Sequence, residues 1–341
     1  MEMIRLWNGM EVPRVGLGCW AIGGPFAAGD TALAWGRVDD RESIAALHRG
    51  LDLGVRVFDT ADVYGTGHSE EVLGRALKGF GEPVVIVSKF GNTFDAARRQ
   101  LTGHDVSPAY IRAAVEGSLR RLGRERIDLY LLHVNDLDPD LAAESFVALE
   151  DLRRAGKIDG FGWSTDHPAS AARYTSLPGF VAIEHDMNLL LPAEAMLALV
   201  AEKGLLSIPR QPLGMGLLTG KYAGGAAFPA DDIRARGTDW MIYFRDGRPD
   251  PALSAQLEAV RGLLTADGRT LAQGALGWVL ARSAHTLPVP GFKTVAQVEE
   301  DAATNALGAL PAATMAAIER TLGRHAPDTA GLRAEPAEMS G

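Results

Sequence analysis

Ser107-Pro108-Ala109-Tyr110-Ile111-Arg112-Ala113-Ala114-Val115-Glu116-Gly117-Ser118-Leu119-Arg120-Arg121-Leu122-Gly123 is followed almost at once by Ile127-Asp128-Leu129-Tyr130-Leu131-Leu132-His133. Ser107 can accept hydrogen bonds from the free amides of a first helical turn, and Pro108 suits that turn because its missing N–H is not needed there. Ile111, Val115, Leu119 and Leu122 recur at helical spacing on one face, and Gly123 can stop the helix. The apolar run that follows reads as a buried strand, and it ends on a histidine. A capped amphipathic helix leading straight into a buried strand is how one unit of a parallel sheet appears in sequence.

The same rhythm extends in both directions. Upstream, Ile44, Leu47 and Leu51 mark a helix over 41–53, Gly54 ends it, and Val55 to Phe58 forms a strand. Downstream come a helix at about 140–154 ending near Gly156, strands near 157–163 and 180–184, a helix near 193–203 and a strand near 205–208. Eight such units predict an α/β fold, the (β/α)8 TIM barrel, whose active site lies at the carboxyl ends of its strands. Asp59, Lys89, His133 and Ser164 all fall at predicted strand ends. Ile4 to Arg14, with Asn8-Gly9 between apolar flanks, predicts an N-terminal β-hairpin capping the barrel floor, and helices follow the last strand. Residues 222–251 break the pattern. Their aromatics Tyr222, Phe228, Trp240, Tyr243 and Phe244 belong either to a substrate-covering loop or to an excursion with its own small core. Residues 1–325 are expected to form this single domain, and 326–341, rich in Ala, Pro and Gly, a flexible tail.

Composition narrows the function. A chain of 341 residues, 47% apolar, can bury a core of this size. The net charge of -9 offers no basic stripe for nucleic acid or anionic lipid. The lone cysteine, Cys19, forbids an intramolecular disulfide, which agrees with a reducing, cytoplasmic location. The first twenty residues or so lack the apolar core of a signal peptide, and no apolar run reaches the ~18 residues that a membrane span requires. No cluster has zinc spacing, and His68 with Glu71 reads as an exposed helix face, so no metal is expected.

The chemistry lies in Phe58-Asp59-Thr60-Ala61-Asp62-Val63-Tyr64-Gly65, in the lysine closing Val84-Val85-Ile86-Val87-Ser88-Lys89, and in His133. A free tyrosine has a pKa near ~10 and is a poor acid at neutral pH unless a nearby ammonium stabilises the phenolate. Lys89 can supply that charge, and Asp59 can keep a buried Lys89 protonated. His133 can bond a carbonyl oxygen while Tyr64 protonates it. No activated nucleophile accompanies the set, so the expected reaction is carbonyl reduction without covalent catalysis.

Asp-Thr-Ala-x-x-Tyr-Gly, the lysine ending the next strand, and Asp128-Leu129-Tyr130-Leu131-Leu132-His133 together resemble the aldo-keto reductase family. The likeness continues through Gly162-Trp163-Ser164, the run Pro212 to Lys221, and Pro290-Gly291-Phe292-Lys293, covering about residues 11 to 320 in order. It implies a catalytic tetrad of Asp59, Tyr64, Lys89 and His133, a small-molecule carbonyl substrate, and NADPH as cofactor with NADH the alternative. No Gly-x-Gly-x-x-Gly follows the first strand, and the family binds its cofactor on the barrel without one.

By the same resemblance, Ser164, Thr165 and Glu184 would face the carboxamide, Arg210 the nicotinamide, and Pro212, Leu213, Gly216, Leu218 and Lys221 the pyrophosphate. Gly291, Phe292, Lys293, Gln297 and Asp301 would carry the adenosine end, and Trp20 would stand beside the reacting groups. Three positions depart from the family pattern: Thr165 replaces an asparagine, Glu184 a glutamine, and Arg210 a stacking aromatic. A carboxylate at 184 can accept from the carboxamide NH2 but cannot donate to its oxygen. Two rival readings remain at this point. One is a cofactor-binding regulatory subunit like the potassium-channel β subunits. The other is a reductase of nucleotide-linked ketosugars, which would need Arg234, Arg236 or Arg245 as a diphosphate site. Oligomeric state has no signature here.

Overall fold

The computed structural model describes residues 2–222, 228–236, 238 and 240–324; the expected tail, 326–341, lies outside them. In chain order the strands are β1 (Met3–Arg5), β2 (Glu11–Pro13), β3 (Leu17–Gly18), β4 (Ala27–Ala28), β5 (Thr31–Ala32), β6 (Val57–Asp59), β7 (Val85–Phe90), β8 (Asn92–Asp95), β9 (Gln100–His104), β10 (Ile127–Leu132), β11 (Ile158–Ser164), β12 (Phe180–Asp186), β13 (Leu206–Arg210), β14 (Phe244–Arg245) and β15 (Arg248–Pro249). The helices are α1 (Asp40–Asp52), α2 (His68–Ala76), α3 (Pro108–Leu122), α4 (Pro139–Arg154), α5 (Pro168–Ala172), α6 (Glu194–Lys203), α7 (Ile233–Arg236), α8 (Pro251–Leu264), α9 (Leu271–Arg282), α10 (Val295–Leu307) and α11 (Ala312–Thr321).

A seven-stranded parallel sheet runs β13-β12-β11-β10-β7-β6-β3. Residues 285–290 close it into a barrel without forming a regular strand. On one side the amides of Leu287 and Val289 donate to the carbonyls of Ser207 and Pro209; on the other, the carbonyls of Pro288 and Pro290 accept from Gly16 and Gly18. Each proline keeps its acceptor and lacks the donor, so this closing segment carries only half a ladder on that side. The expected TIM barrel is therefore present, its eighth strand irregular because of its prolines.

The helix boundaries follow the expected capping. Ser107 accepts from the amide of Tyr110 at the start of α3, and Gly123 ends it in the left-handed conformation. The N-terminal hairpin pairs Ile4 with Val12 and inserts Ile4, Leu6 and Val12 into the barrel floor. There they meet Val57, Val85, Val87, Leu129, Leu131, Leu206 and Ile208. The alternate strand residues Phe58, Ile86, Phe90, Tyr130 and Leu132 face outward into a second core under the helices. The two-residue period of a strand thus separates the barrel interior from the helical layer.

Two features over the barrel mouth go beyond the sequence reading. A four-stranded sheet, β5-β4-β9-β8, assembles from two hairpins that alternation did not mark. Within 222–251, α7 and the β14–β15 hairpin surround a core in which Phe228 and Phe244 meet edge to face at 5.3 Å, and Tyr222 packs on both. The guanidinium of Arg234 lies over the rings of Phe228 at 4.2 Å and Trp35 at 4.7 Å and pairs with Asp232. This excursion has its own core, while Trp240 stays exposed at 6.4 Å from Trp20.

Candidate active site

The inward parity of each strand continues past the apolar floor and becomes polar at its carboxyl end. Val57 is followed by Asp59, Val87 by Lys89, Leu131 by His133, and Ile208 by Arg210. Ser164 pairs with Glu184 across β11 and β12. One geometric rule therefore delivers six polar side chains to one end of the barrel.

Tyr64 arrives differently, in a turn just after β6. Gly65 makes that turn possible: it adopts φ +60°, and a Cβ there would stand 1.7 Å from the carbonyl oxygen of Gly23. The Tyr64 ring stacks on Trp20 at 5.8 Å and meets His133 edge to face at 5.7 Å. Lys89 Nζ donates to Asp59 Oδ1 at 2.5 Å, to the Thr60 carbonyl at 2.9 Å and to the Tyr64 hydroxyl at 3.3 Å. Glu184 Oε2 stands 3.4 Å from the same nitrogen, yet it accepts no hydrogen bond. The four residues expected as a tetrad are thus gathered in one place.

Electrostatics follow from burial and these neighbours. Burial alone pulls the Lys89 ammonium down, but Asp59 and Glu184 outweigh it and hold the group charged. Burial and the charge of Glu184 push the Asp59 carboxyl up to about 7, against the pull of Lys89. Burial raises the Tyr64 phenol, with Lys89 opposing, so the resting hydroxyl keeps its proton. Burial, Lys89 and Arg210 hold His133 well below the usual histidine range. It is a neutral imidazole, and its Nδ1 has no hydrogen bond.

The residues expected to hold a cofactor divide into two groups. Arg210 donates to Asp186 at 2.9 Å, to Ser164 Oγ at 2.8 Å, to Asn135 Oδ1 at 3.3 Å and to Asp166. Ser164, Glu184 and Arg210 therefore form one wall beside the tetrad. Thr165 turns away, its hydroxyl donating to the Asn135 carbonyl at 2.7 Å. Leu213 and Leu218 are buried, Pro212 is buried beside them, and Gly216 has a left-handed backbone at φ +94°.

Toward the adenosine end, Gly291 leaves open space where a side chain would stand, whereas Phe292 buries its ring in the core. Lys293 donates to the carbonyls of Trp35 and Arg37 at 2.8 and 2.9 Å, so its ammonium ties down that loop. Gln297 closes a capping box with Thr294 at the start of α10, Asp301 is buried on the same helix, and Lys221 is exposed over the Tyr222 ring. Sequence reading missed Asn135, Asp166 and Asp186. Asp186 lies two residues after Glu184, so the strand parity that marks Glu184 also marks it.

A groove of about 860 Å³ runs along the outer face between Asp40, His68 and Arg124, away from these residues. Its His68 and Arg75 are already paired with Asp40. Among the described residues, no three His, Cys, Asp or Glu side chains are grouped to hold a metal, and no helix is long and apolar enough to cross a membrane.

The TIM barrel thus carries at its mouth a buried chain of contacts from Asp59 through Lys89 to Tyr64, beside a neutral His133. The chain belongs to the Aldo/keto reductase family, whose model matches residues 14–322. It is 31% identical to the aldo-keto reductase YhdN of Bacillus subtilis over 300 residues, 86% of this chain and 85% of that protein. It is 29% identical to the aldo-keto reductase yakc [NADP(+)] of Schizosaccharomyces pombe, over 85% of this chain and 83% of the other. Among solved structures, the glycerol dehydrogenase AKR11B4 of Gluconobacter oxydans superposes with a TM-score of 0.79 at 29% identity, covering 99% of both chains.

Proposed function

We propose that the protein uses NADPH, or NADH in its place, to reduce an aldehyde or ketone to an alcohol, with Tyr64 as the proton donor. The observation that carries this is the buried chain of contacts from Asp59 through Lys89 to the Tyr64 hydroxyl. The substrate class is a sugar, a small aldehyde or a secondary-metabolite ketone. The NADP(+) in the name of the S. pombe relative supports the cofactor, and the name of the G. oxydans protein supports a polyol or hydroxycarbonyl.

The site fits a nicotinamide. The orphaned Oε2 of Glu184 offers an acceptor to a carboxamide amino group, and Ser164 and Arg210 stand beside it. Bound there, the reduced cofactor supplies the hydride. The protein does the rest. His133, a neutral imidazole set edge to face against Tyr64, orients the carbonyl oxygen. Tyr64 gives its proton to that oxygen, and the Lys89 ammonium stabilises the phenolate left behind. Asp59 keeps Lys89 charged and fixed. Trp20, stacked on Tyr64, walls the site and limits water.

The ketosugar reading is weakened by Arg234, whose guanidinium is already spent on Asp232 and the surrounding rings. The test is loss of the near-ultraviolet absorbance of NADPH, then NADH, over a panel of aldehydes, ketones and sugars, for the native protein beside Tyr64→Phe. Turnover that the substitution lowers by about 10²-fold or more supports the reading. Turnover that survives in Tyr64→Phe overturns the assignment of the acid.

A further inference from the structure

The wall beside the tetrad holds more negative than positive charge. Its cations are Lys89 and Arg210. Lys89 faces Asp59 at 2.5 Å and Glu184 at 3.4 Å; Arg210 faces Asp186 at 2.9 Å and also Asp166. Two cations thus meet four carboxyl groups, of which Asp59 and Asp186 are held above the usual carboxylate range by burial. The other titratable neighbours add no positive charge. His133 is neutral, and burial keeps both the Tyr64 phenol and the Cys19 thiol protonated.

Glu184 is the least satisfied member. It is 1% exposed, its Oε2 accepts no hydrogen bond, its nearest cation, Lys89 at 3.4 Å, is already shared with Asp59, and Arg210, which also feels its charge, is paired with Asp186 and Asp166. A buried carboxylate oxygen left in this state raises the energy of the empty site unless a ligand completes it. Geometry gives such a ligand two tasks: to donate a hydrogen bond to Oε2 and to supply positive charge. A nicotinamide does the first through its amino group in either redox state. It does the second only when oxidised, because the ring then carries a positive charge that the reduced ring lacks.

Resting on the nicotinamide reading given above, we infer that Glu184 is a redox-state-selective binding residue, which makes the site favour the oxidised over the reduced cofactor. The charge acts inside a buried wall, where screening by salt is weak. It stabilises the pyridinium form and leaves the neutral form almost unaffected. The consequence for the reaction is a site biased toward alcohol oxidation, relative to the same barrel without that charge.

The experiment is direct titration of NADP+ and of NADPH, without substrate, into the native protein, Glu184→Gln and Glu184→Asp. Glu184→Gln keeps the shape and removes the charge. It is expected to raise the ratio of the NADP+ to the NADPH dissociation constant by about tenfold, mainly by weakening NADP+. Glu184→Asp, which keeps a carboxylate, is expected to shift the ratio less. A change below about threefold in Glu184→Gln, or a change in the other direction, overturns the inference while leaving the nicotinamide reading intact. If the native protein binds neither form, the nicotinamide reading itself fails and this one with it. Melting curves report whether Glu184→Gln folds. If it does not, the native protein decides: NADP+ bound at least as tightly as NADPH supports the inference, and tighter NADPH overturns it.

Discussion

Lys89 donates to Asp59 across 2.5 Å while Glu184 stands 3.4 Å from the same nitrogen, so one buried ammonium holds two buried carboxylates in place. Removing only the cation leaves both carboxylates uncompensated. Lys89→Met is therefore expected to destabilise the fold by about 3–5 kcal/mol and to abolish turnover. Adding Asp59→Asn should restore part of the stability and none of the activity, since the phenolate still lacks its cation. Urea unfolding of the two variants checks this. A single variant as stable as the native protein would show that the pair is not buried as described.

His185 gives a pH dependence with a definite sign. Its imidazole is buried against Ser207 Oγ at 2.8 Å, and burial lowers its pKa to about 4. An unfolded histidine titrates near ~6.5, so between these values the unfolded chain binds more protons than the folded one. Stability from this residue is fully present above pH ~6.5 and is lost as pH falls toward 4, by an amount on the order of 3 kcal/mol. The difference in unfolding free energy between native protein and His185→Gln should slope across that window and flatten above it. A difference that does not vary with pH sinks the assignment.

The barrel and the placement of the four residues expected as a tetrad were legible in the sequence for one reason. Short runs such as Leu129 to Leu132 are apolar on both faces, and the first polar residue after each marks the strand's carboxyl end. Asp59, His133 and Ser164 come from that boundary, and Lys89 follows one residue after the polar Ser88. The eighth strand was obscured because Pro288 and Pro290 look like breakers, and only the pairing of Leu287 and Val289 shows that the segment closes the barrel. The role of Arg210 was legible as a residue and not as a partner set. Asn135, Asp166 and Asp186 reach it from three separate loop or strand ends, and no local pattern joins them. Lys293 was read as a cation near phosphate, whereas its contacts are with carbonyls more than two hundred residues away in the chain.

Arg234 anchors the excursion over the mouth. Its guanidinium meets Asp232 through two nitrogens and lies among Trp35, Tyr222, Phe228 and Phe244. Arg234→Met keeps volume but strands the buried Asp232 carboxylate, at an expected cost of about 3–5 kcal/mol. That cost should appear first as local opening of 228–249 rather than global unfolding. Limited proteolysis should then cut within this segment at denaturant concentrations that leave the barrel's far-ultraviolet signal unchanged. Resistance equal to that of the native protein counts against the anchor.

Two glycines separate backbone strain from positioning of Tyr64, the proposed acid. Gly54 and Gly65 both adopt positive φ, +88° and +60°, so alanine at either costs on the order of 1 kcal/mol through strain alone. Around Gly54 nothing lies within 4 Å of an added Cβ, so Gly54→Ala should lower stability and leave turnover unchanged. At Gly65 the added Cβ meets the Gly23 carbonyl oxygen at 1.7 Å, and backbone atoms must move to admit it. The residue that moves with Gly65 is Tyr64, whose hydroxyl stands 3.3 Å from Lys89. A displacement near 1 Å at a reacting group can cost about 10²-fold in rate. Gly65→Ala is therefore expected to lower kcat by about that factor, with cofactor affinity little changed, because Ser164, Glu184 and Arg210 lie on other strands. Both variants folded, Gly65→Ala the less stable of the two because of the added clash, and kcat falling in Gly65→Ala alone identify the turn as what aims the Tyr64 hydroxyl. A parallel fall in kcat for both would mean that the barrel as a whole, not this turn, sets its position.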